Sequence, residues 1–354
     1  MTAEISPGRP KVMLTSILAG VLIVLLIGAF TLSVLNGQLA ITPHSVLDIL
    51  LEKIGVNLDG EPVDLRLYNT LWSIRFPRVV LAAIVGAALA LAGLLMQAIF
   101  GNPLAEPSIV GVSSGAALGA GFTIVFGVTI FGIWTIAAAA AITGLIATLV
   151  VYFMSRASGR TEVVTLVLTG IAVNAVCGAG IALLTYLGDT SAREQLVFWQ
   201  LGSISGARWS QVTIVTIALI CAIFYSFHIS RRLDLLSLGE RNARHLGVQV
   251  ETLRISVIII VAVIVGAAVA FTGIIAFVGL VIPHLMRMIL GPAHLPLVIT
   301  SALGGALLLT LADLGSRTIM PLTELPIGML TSLLGGPFFF WMLRKTRKQA
   351  GGWG

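Results

Sequence analysis

Two stretches of nine residues decide the fold. Residues 85–93 read Val-Gly-Ala-Ala-Leu-Ala-Leu-Ala-Gly, and residues 265–273 read Val-Gly-Ala-Ala-Val-Ala-Phe-Thr-Gly, with six identities in nine positions. Both stretches lack charge and lie within apolar runs long enough to cross a bilayer core of about 30 Å. Their recurrence predicts an internal repeat. Chance similarity between two Gly- and Ala-rich helices is the alternative.

The composition of the whole chain agrees with a membrane fold. Of its 354 residues, 57% are hydrophobic and only 10% are charged, and the mean hydropathy is +1.04. An ordinary soluble domain carries about 25% charged residues, which solvate its surface. The chain is therefore predicted to be an all-α polytopic membrane protein, because helices satisfy their backbone hydrogen bonds within lipid.

Apolar runs separated by polar breaks predict ten transmembrane helices in a single membrane domain, residues 1–354. The predicted spans are 12–35, 78–100, 107–127, 129–154, 162–187, 210–230, 254–273, 275–291, 296–312 and 326–343. A short interfacial helix is expected near residues 43–54, within an external segment, 36–74. The remaining landmarks are a cytoplasmic N-terminus (1–11), a cytoplasmic loop (231–253) and a cytoplasmic C-terminus (344–354).

The distribution of Lys and Arg supports this topology. The proposed inside segments hold 14 of these residues and the outside segments hold 7, so both termini are predicted to be cytoplasmic. The two repeat copies then run in opposite directions, as an inverted repeat requires. The pI of about 9.8 is explained by this topology rather than by nucleic-acid binding.

Small and polar residues mark two features between the second and third spans. Gly111, Gly115 and Gly119 form a stripe that favours close helix packing, with a role in lining a pathway as the alternative. Residues 102–107, Asn-Pro-Leu-Ala-Glu-Pro, interrupt the apolar runs at the predicted inner face. The spacing is equally consistent with an ordinary turn and with a gate.

Charged residues at the two membrane faces suggest contacts with other proteins. Arg75 and Arg78 lie outside against the positive-inside bias, which favours a partner with carboxylates. Arg317 lies four residues after Asp313, and this spacing is typical either of an ion pair within one helix or of docking. Inside, residues 236–248 have the spacing of a short amphipathic helix, either on the membrane surface or against a cytoplasmic partner.

The chain lacks the motifs of several enzyme classes. It has no G-x-x-x-x-G-K-[ST], H-E-x-x-H or G-x-S-x-G pattern, and its five histidines are scattered, so no metal site is predicted. Any nucleotide that energises transport must bind another chain. A transporter that is driven by an ion gradient is one alternative to a transporter energised by nucleotide. Transporters of that class commonly bury charged residues within their spans. Here Glu106, Glu162, Asp313 and Glu324 are all predicted near span ends, which argues against that class.

In this order, the motifs resemble the permease subunit of the ABC importers for iron-siderophore, haem and cobalamin. The resemblance is collinear from about residue 70 to residue 343. The matching stretches are Arg75–Arg78 (Arg-Phe-Pro-Arg), 85–121, Phe198–Ser203 (Phe-Trp-Gln-Leu-Gly-Ser), 236–248, Gly279–Arg287 (Gly-Leu-Val-Ile-Pro-His-Leu-Met-Arg) and Glu324–Gly328 (Glu-Leu-Pro-Ile-Gly).

This resemblance implies a homodimer with ten spans per subunit in the bacterial cytoplasmic membrane. Two cytoplasmic ATPase subunits, which hold ATP and Mg²⁺, would drive it, and an external binding protein would deliver the cargo. No cofactor is expected on this chain. By the pattern of the family, Arg75, Arg78 and Arg317 would receive carboxylates of the binding protein.

The resemblance also implies two inner sites. The coupling helix that enters the ATPase would contain Leu238, Gly239, Glu240, Arg241, Ala243, Arg244, Leu246 and Gly247. The gate or pathway would contain Asn102, Leu104, Thr161 and Thr165. Residues 111–120 look more like haem permeases than siderophore permeases. Haem is therefore the favoured cargo, a ferric siderophore the second, and cobalamin less favoured.

Overall fold

A computed structural model describes residues 9–37, 41–53, 64–157, 160–320 and 323–349. The predicted external segment is thus covered only in part, and both extreme termini lie outside the described residues. The helices are α1 (Arg9–Leu35), α2 (Pro43–Lys53), α3 (Leu65–Asn69), α4 (Phe76–Phe100), α5 (Val112–Val125), α6 (Thr135–Met154), α7 (Val163–Leu187), α8 (Thr190–Leu201), α9 (Trp209–Leu236), α10 (Glu240–His245), α11 (Val250–Thr272), α12 (Val278–Leu290), α13 (His294–Thr318) and α14 (Ile327–Gln349).

Shorter elements join some of these helices. A π-helical turn (Thr70–Arg75) connects α3 to α4, and 3₁₀ turns precede α5 (Pro107–Val110) and α6 (Gly132–Trp134). The strands β1 (Arg156–Ala157) and β2 (Arg160–Thr161) form a two-residue antiparallel pair. Apart from this pair, the regular structure of the described residues is helical.

The described residues confirm an all-helical membrane fold. Seven helical segments are long and apolar enough to cross a membrane, and three apolar helices, Val112–Val125, Val278–Leu290 and Ile327–Phe340, are shorter. A helix lies at each of the ten predicted positions, although the crossing of the membrane by all ten stays a prediction. A helix, α2, lies where the interfacial helix was expected, and its location at the membrane interface stays a prediction. The helix α8 was not predicted.

The helical segment that contains α4 begins earlier than predicted. Leu65–Phe100 is one continuous helical segment, so the boundary at residue 78 was wrong. The reason lies at Pro77, which has no N–H to donate to the preceding turn. The chain widens there to a π-helical turn, in which the Phe76 N–H bonds the Leu71 carbonyl. The helix thereby continues through a residue that hydropathy patterning treats as a start.

The centre of the fold is α4, which is buried along almost its whole length. It packs against α13 in the antiparallel direction, because Arg78 contacts Asp313 and Gly86 lies opposite Gly305. A Cβ atom at Gly86 would lie 2.1 Å from the Gly305 carbonyl oxygen, and one at Gly93 would lie 1.8 Å from the Gly279 carbonyl oxygen on α12. Only glycine permits these backbones to approach so closely.

The two repeat copies lie on α4 and α11, which run in opposite directions. The indole N–H of Trp209, where α9 begins, donates to the Trp72 carbonyl just before α4, at 2.8 Å. Later in α9, the Tyr225 hydroxyl bonds Ser256 in the first half of α11. Therefore α4 runs parallel to α9, whereas α11 returns antiparallel to both. This is the relation that an inverted repeat requires.

The repeat supplies a matched pair of glycines for a packing test. Gly86 and Gly266 occupy the same position in the two copies, but a Cβ atom at Gly266 would meet nothing within 4 Å. We expect Gly86→Ala to lower the unfolding free energy by about 1–3 kcal/mol through overpacking, and Gly266→Ala to leave it unchanged or raise it slightly. Thermal unfolding in detergent measures both. Equal effects would contradict the assigned crossing of α4 and α13.

Candidate functional site

A buried ion-pair network lies where α4 begins and α13 ends. The Arg78 Nε donates to the Asp313 Oδ1 at 2.8 Å, and the Arg78 Nη1 donates to the two Glu324 carboxylate oxygens at 2.8 and 3.0 Å. Asp313 is fully buried, whereas the Glu324 side chain is 41% exposed. The network therefore has one enclosed carboxylate and one carboxylate that reaches the surface.

The other two predicted docking arginines join this network to α1. The Arg75 Nη1 donates to the carbonyls of Val34 and Leu35, at 2.6 and 3.1 Å. The Arg317 Nη2 lies 3.2 Å from the Asp313 Oδ2 and also contacts Ser33. Cationic side chains are favourable where helix carbonyls end without intrahelical partners. The three arginines thus hold α1, α4 and α13 together.

This geometry bears on the two interpretations of the outer arginines. The intrahelical pair between Asp313 and Arg317 is present, and Arg75 and Arg78 are only 5% and 7% exposed. Docking of a partner on these arginines stays a prediction. The cluster of Arg75, Arg78, Arg317, Asp313 and Glu324 carries one more positive than negative charge at pH 7, and its accessible edge is the Glu324 carboxylate.

On the opposite side, the loop between α9 and α11 forms a short exposed helix. This helix, α10, is flanked by Gly239 and Gly247, whose φ angles of 99° and 85° favour glycine. Ala243 anchors it and is fully buried, whereas Leu238 and Leu246 are 59% and 58% exposed. Arg241 and Arg244 are also exposed. The predicted coupling residues therefore share one protruding element with two uncovered leucines.

The predicted gate residues are divided between two places. Thr161 is buried against the start of α11, where its N–H donates to Glu251 and its carbonyl accepts from Arg254. Thr165 is on the first turn of α7 and bonds Glu162. Asn102 and Leu104 lie after α4, where the Asn102 side chain accepts the Leu104 N–H at 2.9 Å. The structure does not bring Asn102 into contact with Thr161.

The chain after Leu104 turns back into the helical bundle. Asn174, near the middle of α7, donates to the Ser108 carbonyl at 3.2 Å, and a Cβ atom at Gly170 would lie 1.9 Å from the Ile109 carbonyl oxygen. The 14-residue helix α5 therefore begins beside the middle of α7, although a full span starting at residue 107 was predicted. Hydropathy alone missed this because the entire run is apolar.

A small cavity lies where the short helices α5 and α12 both begin. Glu106 accepts the N–H of Phe277, immediately before α12, at 3.1 Å. The cavity has a volume of about 60 Å³, and its lining includes Glu106 together with Leu89 and Val265 from the two repeat copies. Glu106 was predicted near a span end. It lies instead beside Leu89, in the middle of α4.

The glycine stripe of α5 lies against α6. A Cβ atom at Gly115 would be 2.5 Å from the Ala147 Cβ, and one at Gly119 would be 2.1 Å from the Thr143 Oγ1. Gly111, at the start of the stripe, has a φ angle of 79°. These contacts belong to close helix packing, the first of the two roles considered for the stripe.

Comparisons with known proteins agree with this architecture. The sequence matches the FecCD transport family over residues 15–345. It is 41% identical to the hemin transport system permease protein HmuU of Yersinia pestis, over 79% of this chain and 84% of that protein. It is 37% identical to the vitamin B12 import system permease protein BtuC of Vibrio cholerae, over 90% and 92% of the two chains.

A solved structure described as an inward-facing conformation of a metal-chelate type ABC transporter is also similar. Its TM-score is 0.80 and its sequence identity is 32%, with 93% of this chain and 99% of that chain covered. The protein belongs to the FecCD transport family and is an ABC importer permease. The resemblance inferred from the motifs is therefore confirmed. The members of this family are transport subunits rather than enzymes.

The outer network allows a stability test. Asp313→Ala would leave Arg78 and Arg317 partly buried without their shared carboxylate, so we expect unfolding to become easier by about 3–5 kcal/mol. Glu324→Ala removes an exposed carboxylate from the same Arg78 and should cost about 1 kcal/mol or less. Unfolding of both variants in detergent would measure the difference. Similar losses would show that burial of Asp313 does not control the network.

Proposed function

We propose that this permease imports haem across the bacterial cytoplasmic membrane, with a ferric siderophore as the second candidate and cobalamin as the third. The observation that carries the proposal is the 41% identity to a hemin permease, against 37% to a vitamin B12 permease. The haem-like pattern of residues 111–120 supports the same order. Both termini are proposed to be cytoplasmic.

The cargo pathway is proposed to form between two copies of the chain. The cavity at Glu106 has a volume of only about 60 Å³, which is too small for a chelate of haem size. Of the seven long apolar segments in the described part of the chain, α7 is the least buried, and Leu168, Ile171 and Leu183 are exposed along it. A second copy would cover this surface and enclose a wider channel.

Two cytoplasmic ATPase subunits are proposed to drive transport through α10. This helix protrudes between two glycines and presents Leu238 and Leu246, which an ATPase cleft would bury. ATP binding would move α10, and the inner ends of the spans would follow. The outer side would open to the binding protein when the inner side closes, which is alternating access.

The external binding protein is proposed to dock at the outer arginine network. Its carboxylates would be attracted by the excess positive charge of the network. Because Glu324 already occupies the Arg78 Nη1, an incoming carboxylate has to compete with Glu324. Docking would therefore exchange an internal ion pair for one between proteins.

Transport by the reconstituted complex tests the proposed function. Proteoliposomes would contain this permease with its ATPase, and ATP turnover would be measured with the binding protein empty, haem-loaded or loaded with a ferric siderophore. We expect stimulation by the haem-loaded form and haem inside the vesicles. Stimulation only by the siderophore-loaded form would overturn the assignment of haem as the cargo. Uptake independent of ATP, driven by an ion gradient, would overturn the ATPase partnership.

Affinity for the binding protein tests the docking site. Glu324→Gln weakens the internal competitor for Arg78, so we expect affinity to rise by about fivefold at low salt and the gain to shrink as salt increases. Glu52→Gln, on the exposed part of α2, is the matched control. Unchanged or weakened binding of Glu324→Gln would reject competition at Arg78.

A further inference from the structure

Arg254 connects three parts of the inner side that are distant in sequence. Its Nη1 donates to the Thr161 carbonyl at 2.8 Å, and its Nη2 bonds the carboxylate of Glu240 on α10. Glu251, one turn before Arg254 on α11, accepts the Thr161 N–H at 3.0 Å. The Arg254 side chain is only 2% exposed, and its bond to the Thr161 carbonyl is buried.

The shape of the guanidinium suits this position. Its nitrogens lie in one rigid plane and donate in different directions, so one buried side chain bonds both α10 and β2. Glu240 and Glu251 remain 43% and 26% exposed. The arginine is thus the enclosed member of the cluster, and the acids surround it on the solvent side.

Each partner of Arg254 belongs to an element with a proposed role in transport. Glu240 is the first residue of α10, the proposed coupling helix, while Thr161 lies two residues before α7. The first turn of α7 holds Thr165, and its exposed side is proposed to face the second copy. A route of direct contacts therefore runs from the ATPase-facing helix to the helix that borders the channel.

We propose that Arg254 is a positioning residue that makes α10, β2 and the start of α11 one rigid body, so that a displacement of α10 moves the inner end of α7. This inference rests on the proposed function, in which an ATPase displaces α10. The glycine before α10, Gly239, lets α10 change its angle to α9, whereas the bonds of Arg254, which is itself on α11, keep α10 attached to the start of α11 and to β2. Without Arg254, the ATPase would still displace α10, but the inner end of α7 would not follow.

The ratio of cargo uptake to ATP hydrolysis tests the inference. In the reconstituted complex, we expect Arg254→Gln to keep basal hydrolysis within about twofold of the wild type and to lower uptake per ATP by about tenfold, the scale of typical coupling between sites. Arg254→Lys keeps the positive charge but lacks the planar guanidinium that bonds two partners at once. Its uptake per ATP should therefore lie between those of the wild type and Arg254→Gln. Glu240→Gln should shift the ratio in the same direction by less.

Arg231→Gln is the matched control, because Arg231 is an exposed arginine at the same side of the molecule. It should keep the wild-type ratio. A purely structural role for Arg254 would lower hydrolysis and uptake together, in proportion to the amount of assembled complex, and would overturn the inference. An unchanged ratio in Arg254→Gln would overturn it too. Absence of ATP-driven uptake in the wild type would instead reject the proposed function.

A distance measurement tests the rigid body without relying on transport of the variants. Spin labels at positions 162 and 245, which are both exposed, would follow β2 and α10 after Cys177 and Cys221 are replaced by serine. We expect their separation to stay within about 2 Å when ATP binds, because larger shifts mark independent elements. In Arg254→Gln the distribution should broaden. A nucleotide-dependent change in the otherwise unmodified chain would contradict the inference.

Discussion

The contact between α4 and α13 is the constraint on which the rest of the fold depends. Their backbones touch at Gly86 and Gly305, and Arg78 and Asp313 pair two turns away at the end of the same interface. The glycines bring the helices close enough for the ion pair to be enclosed. The ion pair in turn fixes the axial register of the two helices, because a shift along the axis would leave a charge unpaired in apolar surroundings.

The positions of the helices along the chain follow from the sequence. How deeply each helix lies inside the helical bundle does not. Apolar runs predicted a helix at each of ten positions, and a short helix was also expected near residues 43–54, where α2 lies. The run from residue 107 to residue 127 also satisfied the length criterion for a full span, yet it contains a 3₁₀ turn followed by the 14-residue helix α5. Hydropathy measures whether a segment tolerates lipid. It does not measure whether the segment lies inside a bundle of other helices.

The site residues show a similar limit. Arg75 and Arg78 were recognised because they run against the positive-inside bias, and Arg317 was added through the resemblance to the family. The structure brings the three arginines together. The ion pair between Asp313 and Arg317 was one of two interpretations of their spacing. The bond from Arg78 to the same carboxylate could not be assigned, because Arg78 and Asp313 are separated by 235 residues. Arg254 was counted only as one more inside charge. Its partner Thr161 lies 93 residues away and contributes a backbone carbonyl, which no residue pattern reveals.

The contacts of Arg317 have a consequence for the order of assembly. The helix α1 is synthesised before α13, yet Ser33 near its end receives hydrogen bonds from Arg317, 284 residues later. A nascent chain must therefore hold α1 in place while the helices from α2 to α13 are made. This end of the helical bundle closes only after α13 has been made, so a truncated chain that lacks α13 would leave α1 without the hydrogen bonds from Arg317.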